Sequence, residues 1–326
     1  MNKEHPKLVV GFIIFGQSTA KYLPFFLPSL KAQTYQDFKA IAYDSLYLKD
    51  NGKFCPVKDD SSGEYLRENY PKIKIIDSFK NTGFARSHNK LIDEARKAGA
   101  KYYLVINCDT VLEPDALEKM LQVLDSDQDL AAVCPRIMKW DFENNKKTDI
   151  IDSSGIGLKA GLRFYDIGQG EKYNEEDLVE PIGPSGACGL YRIDVLEKIA
   201  ESGKYFDENM FMYKEDCDLA YRLQLAGYKT KCIKEAVVYH DRTASGKAGI
   251  LNFFSSRRNK SVQVKKWSFL NQQMIHAKYF RKQDLFSKIL IVLWQIKAFV
   301  FTLLFEQYLL LEYFSLIKKK ASLRKY

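Results

Sequence analysis

An α/β fold with a mainly parallel sheet is predicted by three features of this 326-residue chain. Short apolar, β-rich runs alternate with segments of helical period, the pattern of βαβ units. Several of these runs stop abruptly at polar or acidic residues, as strands do where an open sheet offers its carboxyl ends to a ligand. A hydrophobic content of 46% against 28% charged residues belongs to a globular chain, and its length suffices for a full core.

Leu8–Phe15 reads as the first strand, broken by Gly16-Gln17-Ser18-Thr19. The helix that follows carries Tyr22, Phe26, Leu27 and Leu30, with Pro24 in its first turn and Pro28 as a kink. Phe38–Tyr43 is a second strand ending in Asp44-Ser45. A carboxylate there can accept bonds from a ribose or base edge, or simply cap a loop. Leu46–Glu64 is polar and reads as a loop or small excursion. Ile73–Asp77 is a third strand, followed by Asn81-Thr82-Gly83-Phe84-Ala85-Arg86-Ser87-His88-Asn89 and a helix to about Ala98. Gly83 permits close backbone approach, and the helix start and Arg86 offer donors to a phosphate. The same features also suit a plain connector.

The central strand is Tyr102–Ile106, which ends in Asn107-Cys108-Asp109. A carboxylate on a rigid strand end suits a hard divalent cation held against a diphosphate, and equally suits a helix cap. Glu113-Pro114-Asp115 opens a helix through about Leu124, and Leu130–Cys134 is a further strand. Lys139–Leu178, rich in Asn, Lys, Asp and Gly, is expected to be a mobile insertion over the site, with no residue given a role. Gly183–Gly189 is a run of small residues that lets a substrate lie against the backbone, and Leu190-Tyr191-Arg192 continues it into a helix from Asp194 to about Ala200. Acids then cluster at Asp207, Glu208, Glu215, Asp216 and Asp218 before a helix ending at Gly227. Asp216 in the first turn of that helix would be held rigidly at the site mouth, although such acids also complement the helix dipole. Lys231–Tyr239 is the last strand, and His240 just beyond it is placed for a ligand contact or a structural one.

The six cysteines form no CxxC pair and suit no zinc site, so buried free thiols and a reducing compartment are expected. The first residues lead straight into a strand, so no signal peptide is expected. The net charge of +9 is concentrated at one end: residues 257–326 carry 15 Lys and Arg against 3 Asp and Glu, whereas the preceding residues carry 35 against 38. Arg257-Arg258-Asn259-Lys260 and Lys265-Lys266-Trp267 flank a strongly apolar stretch from Leu285 to Ile317, which Lys318-Lys319-Lys320 closes. No uncharged stretch reaches the roughly 20 residues of a spanning helix. One or two helices lying on an anionic membrane are expected, with a hairpin packed on the domain or in a homodimer as the alternative. No recognisable nucleic-acid-binding module accompanies the basic residues, so nucleic acid is not an expected partner.

The segments Asn81–Ala85 with Asn89, Asn107–Asp109 with Pro114-Asp115, Gly186-Ala187 with Arg192, Phe206–Glu208, Tyr213–Leu219 with Arg222, Gly227-Tyr228 and His240 stand in an order and spacing. From about Leu8 to Arg258 this ensemble resembles the family-2 glycosyltransferases of GT-A fold, in their rhamnosyltransferase-like branch. The resemblance implies that Asp109 and His240 bind a metal (Mg2+ or Mn2+), that Asp44 contacts the nucleoside, and that Asp216 is the base of an inverting reaction. It places Asn81, Gly83, Phe84, Arg86, Asn89, Asn107, Gly186, Ala187, Arg192 and Glu215 at the substrate. Asn107 stands where the family's metal signature has its first acid, and Asp44-Ser45-Leu46 lacks the usual polar run. The expectations are a glycosyltransferase domain at 1–256 with a helical segment at 257–326, a nucleotide-sugar donor, a glycan or lipid-linked acceptor, and a peripheral position on the cytoplasmic face of the membrane. A nucleotidyltransferase of related fold and a non-catalytic nucleotide-sugar-binding subunit are the alternatives.

Overall fold

The computed structural model describes residues 5–45, 48–49, 57–174, 179–242 and 260–323. The basic pair Arg257-Arg258, Leu46, and Cys55 lie outside the described residues. Strands are β1 (Leu8–Ile14), β2 (Phe38–Asp44), β3 (Leu48–Lys49), β4 (Val57–Lys58), β5 (Lys74–Asp77), β6 (Tyr102–Ile106), β7 (Thr110–Leu112), β8 (Leu130–Asp141), β9 (Lys146–Ser153), β10 (Ile156–Lys159), β11 (Arg163–Asp166), β12 (Cys188–Arg192) and β13 (Lys229–His240). Helices are α1 (Gly16–Ala20), α2 (Leu23–Lys31), α3 (Ser61–Asn69), α4 (Gly83–Lys97), α5 (Ala116–Ser126), α6 (Ile193–Lys198), α7 (Glu215–Leu225), α8 (Val262–Tyr279), α9 (Leu285–Leu304) and α10 (Leu310–Leu323).

Nine strands form one sheet in the order β5-β2-β1-β6-β12-β8-β13-β7, with β9 on the outer part of β8. β5, β2, β1 and β6 run parallel, as do β8 and β13, while β12, β7 and β9 are antiparallel to their neighbours. The order explains the sequence pattern. β6 is buried along its whole length because both faces are covered. Alternation sends Tyr102, Leu104 and Ile106 into the core under α2 and α5, and Tyr103 and Val105 into the core under α4, α6 and α7. The sheet is therefore the middle layer of three, and the carboxyl ends of β1, β2 and β6 open on one edge.

Arg192 ends β12 inside this framework. Its guanidinium, 3% exposed, donates to the carbonyls of Leu130 (2.8 Å), Asp127 (3.0 Å) and Leu124 and to the Tyr102 hydroxyl (3.2 Å). It ties β12 to the end of α5.

The stretch Lys139–Leu178 departs from its expectation. In place of a mobile insertion, its described part continues β8 to Asp141, returns as β9 and closes with the β10–β11 hairpin. The misreading came from composition. These strands are half exposed, so their outward positions are polar, and polar residues diluted the alternation.

The C-terminal helices dock on this body. Leu270, Met274, Ile275 and Tyr279 of α8 pack with Leu162, Met210 and Tyr221, and Ile291 of α9 joins them. α9 is long and apolar enough to cross a membrane by length and composition, and only 17% of that stretch is buried. Its body-facing side carries Ser287, Ile291 and Thr302. Its outward side carries Ile289, Val292, Leu293, Ile296, Phe299, Val300 and Leu303, each at least 42% exposed.

Candidate active site

A cavity of about 520 Å³ lies at the carboxyl ends of β1 and β6. Asn107, Asp109, Gly186, Ala187, Glu215, Asp216 and His240 all line it, together with Asn81, Gly83 and Phe84. Acids more than a hundred positions apart thus share one cleft.

Each is placed by local structure. Asp109 follows β6 by three residues, and the chain turns at once into β7, a strand the sequence pattern did not reveal. β7 pairs antiparallel with β13, with Thr110 opposite His240, and Asp241 N–H donates to the Asp109 carbonyl at 2.9 Å. That pairing brings His240 Nε2 to 3.3 Å from the Asp109 carboxylate. The other ring nitrogen, Nδ1, lies 2.8 Å from Asp152. Burial alone would lower the pKa of His240, but the carboxylates of Asp109 and Asp152 outweigh it and raise it to about 10. Arg242 then reaches Asp152 at 3.5 Å and Asp166 at 2.7 Å. Asp152 comes from β9, and Asp166 ends β11. Both belong to the stretch that sequence reasoning left without a role. Ile150-Ile151 followed by Asp152-Ser153 has the apolar-then-polar ending of the other strand tips, the one signal that pointed to it.

Asp216 stands in the first turn of α7. Its Oδ2 accepts from Gly186 N–H at 2.9 Å and its Oδ1 from Cys217 N–H at 2.8 Å, so the carboxylate is fixed in orientation. A Cβ on Gly186 would sit 3.3 Å from Asp216 Oδ2 and from the Phe84 ring, a tight contact that the glycine avoids. The chain enters α7 through two consecutive left-handed residues, Tyr213 (φ 71°) and Lys214 (φ 67°). Non-glycine residues hold that conformation only where their surroundings impose it. Here the Asn271 side chain on α8 donates to the carbonyls of Met212 (3.0 Å) and Tyr213 (2.7 Å). Next to Asp216, Glu215 is 4% exposed, and its Oε2 has no hydrogen-bond partner among the described residues. Burial, and then the neighbouring Asp216 charge, push its carboxyl well above the usual range.

The loop before α4 also lines the cavity. Asn81 Oδ1 accepts from Gly83 N–H at 3.0 Å and from Ser45 at 3.1 Å. Gly83 has φ +71°, and a Cβ there would lie 2.2 Å from the Phe211 carbonyl.

Four expected site residues do not line the cavity. Asp44, 1% exposed, is paired with Lys58 at 2.7 Å, one residue short of Ser45, which does line it. Arg86 pairs with Glu208 at 3.0 Å. Asn89 accepts from the amides of Tyr205 and Phe206 and donates to the Phe206 carbonyl, bracing the 205–208 turn. Arg192 is the β12–α5 tie described above.

Glu201, Asp207 and Asp218 converge elsewhere, at a point a cation could occupy. Lys278 fills it, with its ammonium 2.5, 3.4 and 2.9 Å from the three carboxylates. Asp218 also pairs with Arg222 at 2.9 Å and accepts from Tyr279 at 2.7 Å. This is an internal ion cluster that binds α8 to α7.

Comparison with known proteins agrees with the geometry. The family model described as "Glycosyl transferase family 2" matches residues 12–200. N-acetylglucosaminyl-diphospho-decaprenol L-rhamnosyltransferase of Mycobacterium tuberculosis, in two strains, is 25% identical over 252 residues, covering 73% of this chain and 77% of that protein. The crystal structure of GalNAc-T7 with UDP, GalNAc and Mn2+ has the same fold, with a TM-score of 0.54 at 11% identity. The alignment covers 84% of this chain, which spans about half (51%) of the length of that structure. Staphylococcus aureus TarS is similar at a TM-score of 0.47 and 15% identity, over 84% of this chain and 43% of that one. The fold is thus the GT-A fold, the rhamnosyltransferase-like resemblance is borne out, and the chain belongs to glycosyl transferase family 2.

Proposed function

We propose that this glycosyltransferase moves a sugar, rhamnose being the first candidate, from a nucleoside diphosphate donor to a lipid-linked or glycan acceptor in cell-surface polysaccharide synthesis, with inversion at the anomeric carbon. The observation that carries the reading is the shared cavity, which Asp216, Asp109 and His240 all line. The curated relatives supply the sugar and the lipid-linked acceptor as candidates.

Asp216 is the general base. Its two oxygens are held by backbone N–H groups, leaving it oriented toward an acceptor hydroxyl in the cavity. It takes the hydroxyl proton as oxygen attacks the anomeric carbon, while the bond to the diphosphate breaks on the far side. Such a base contributes about 10²–10⁴ in rate. Glu215 lines the same cavity beside it, its carboxyl pushed upward by burial and by the Asp216 charge. Asn81, the open backbone at Gly83, and Gly186 with Ala187 shape the donor side.

Asp109 and His240 would hold a divalent cation. They fit if the cation displaces the His240 Nε2 proton that the Asp109 carboxylate otherwise stabilises: a carboxylate oxygen and an imidazole nitrogen then converge, and Asp152 fixes the ring so that Nε2 faces Asp109. When bound, such an ion supplies Lewis-acid neutralisation of the departing diphosphate. The Asp109 carboxylate suits either Mg2+ or Mn2+, and the imidazole nitrogen is the poorer donor to the harder Mg2+.

The outward apolar face of α9 lies on an anionic membrane, on the cytoplasmic side. Its amphipathicity is inverted relative to a soluble helix, with the aliphatic side outward and the polar Ser287 and Thr302 inward. The exposed Lys297 and Lys318 supply charge complementarity. The domain boundary near residue 256 then divides a transferase body from a membrane-docking segment that α8 bolts to it.

Incubation with a panel of nucleotide-sugars and a lipid-linked acceptor tests the reading. Release of nucleoside diphosphate with sugar on the acceptor is expected. Release of pyrophosphate would instead indicate a nucleotidyltransferase, and absence of turnover with every donor a binding subunit.

A further inference from the structure

A second cavity, of about 250 Å³, opens beside the one that holds Asp216. The two share Phe164, Lys214 and Ser268 as walls. The second is lined by three permanent cations, Arg163, Lys214 and Lys265, and by no carboxylate among the described residues. Lys265 is partly neutralised by Glu306, 3.2 Å away. Arg163 and Lys214 form no ion pair among the described residues. Like charges gathered around one hollow repel, and an anion in the hollow relieves that repulsion. Lys214 is no accidental member. Its left-handed backbone and the Asn271 bonds to Met212 and Tyr213 fix its place at the seam between the cavities.

Phe269 and Trp294 also line it. Trp294 belongs to α9, whose outward side is apolar. The cationic hollow thus adjoins both the cavity of Asp216 and the helix whose outer face is fit for lipid. A ligand that spans it has a sugar at one end, an anionic centre, and an apolar chain at the other.

We infer that this cavity seats the diphosphate of a lipid-linked acceptor, an inference that rests on the functional reading above. The acceptor sugar passes Ser268 and Lys214 into the first cavity, where its hydroxyl meets Asp216. The diphosphate lies among Arg163, Lys214 and Lys265, and the lipid leaves past Trp294 along α9. The donor diphosphate occupies the other side, at Asp109 and His240, so the two anions do not share cations.

The test compares phosphatidylcholine vesicles carrying a polyprenyl diphosphate with vesicles brought to equal surface charge by phosphatidylglycerol. The full-length wild type is expected to prefer the diphosphate vesicles. Arg163→Gln should reduce that preference about tenfold or more, the loss of a charge-assisted contact. Nucleoside diphosphate binding should be unchanged, which also reports folding, and Arg163→Lys should recover part of the preference. Retention of the preference in Arg163→Gln, or an equal loss of nucleoside diphosphate binding, overturns the seat. A wild type that glycosylates a soluble glycan but ignores the diphosphate vesicles overturns the seat and leaves glycosyl transfer standing. A wild type that prefers those vesicles, loses the preference in Arg163→Gln, yet transfers to no acceptor supports the seat and overturns the transfer reading.

Discussion

Replacing Lys278 by Met measures how deeply the C-terminal helices are built into the transferase body. The ammonium is fully buried, 0% exposed, between Glu201, Asp207 and Asp218 at 2.5, 3.4 and 2.9 Å. Without it, Arg222 remains beside these acids, at 2.9 Å from Asp218 and 3.7 Å from Glu201, and Lys319 still interacts with Asp207. Removing one partner from a buried ion cluster costs about 3–5 kcal/mol, because the remaining charge is uncompensated. For a chain of this size that corresponds to a fall in Tm on the order of 5–10 °C. The sign of the pH dependence follows from the shifts. Burial raises the Asp218 pKa, but Lys278 and Arg222 outweigh it, and the net effect is a lowered pKa. A depressed carboxyl stabilises the fold above its unfolded value, about 4, and that contribution is lost as pH falls through the folded value. Burial lowers the Lys278 pKa, but Asp218 and the other acids raise it overall. Its contribution is present below about 10.4 and lost as pH rises beyond that through the raised value. The penalty of Lys278→Met should therefore be largest near neutrality and shrink in acid below about pH 4. Thermal unfolding by circular dichroism, with the exposed Lys282→Met as control, reads both effects. A Lys278→Met variant that melts within about 1 °C of the wild type at pH 7 would refute the reasoning.

Three further outcomes are expected. Arg192→Met should destabilise the fold by about 3 kcal/mol or more, since it strands buried carbonyl acceptors, while the donor KM of the surviving enzyme stays near wild type; a selective rise in that KM would restore Arg192 to the substrate. Gly83→Ala must move the Phe211 carbonyl, so donor affinity measured by calorimetry should fall together with Tm, by about 1–3 kcal/mol in stability; an unperturbed Tm would contradict the close approach. Ile296→Glu should weaken sedimentation with phosphatidylglycerol vesicles about tenfold or more without changing Tm, because Ile296 is 57% exposed; unchanged sedimentation would remove the membrane from the account.

The parts of this molecule that were legible beforehand are those whose period the solvent did not disturb. β6 reads as an unbroken apolar run because two cores cover it, and α4 and α5 show clean helical stripes. Asp109, Asp216 and His240 were legible because each ends or begins a regular element. What the pattern concealed is tertiary. β7 is three residues long and exists through its pairing with β13. Asp152 and Asp166 lie on half-exposed strands whose polar faces resemble a loop. Arg86, Asn89 and Arg192 carry the polar groups of a binding site, and only coordinates reveal that backbone carbonyls, backbone amides and Glu208 already occupy those groups. The basic character of residues 257–326 is partly internal too. Lys278 is consumed by the buried acids, and Lys265 is partly neutralised by Glu306.

In the proposed reading Asp216 and Asp109 divide the chemistry between them, and paired variants test that division most directly. Transfer and Mn2+-dependent binding of nucleoside diphosphate are to be measured on Asp216→Asn and Asp109→Asn. The account predicts that Asp216→Asn loses transfer by about 10²-fold or more with binding intact, whereas Asp109→Asn loses the metal-dependent part of binding. Full transfer by Asp216→Asn, or metal-dependent binding that survives Asp109→Asn, would contradict it.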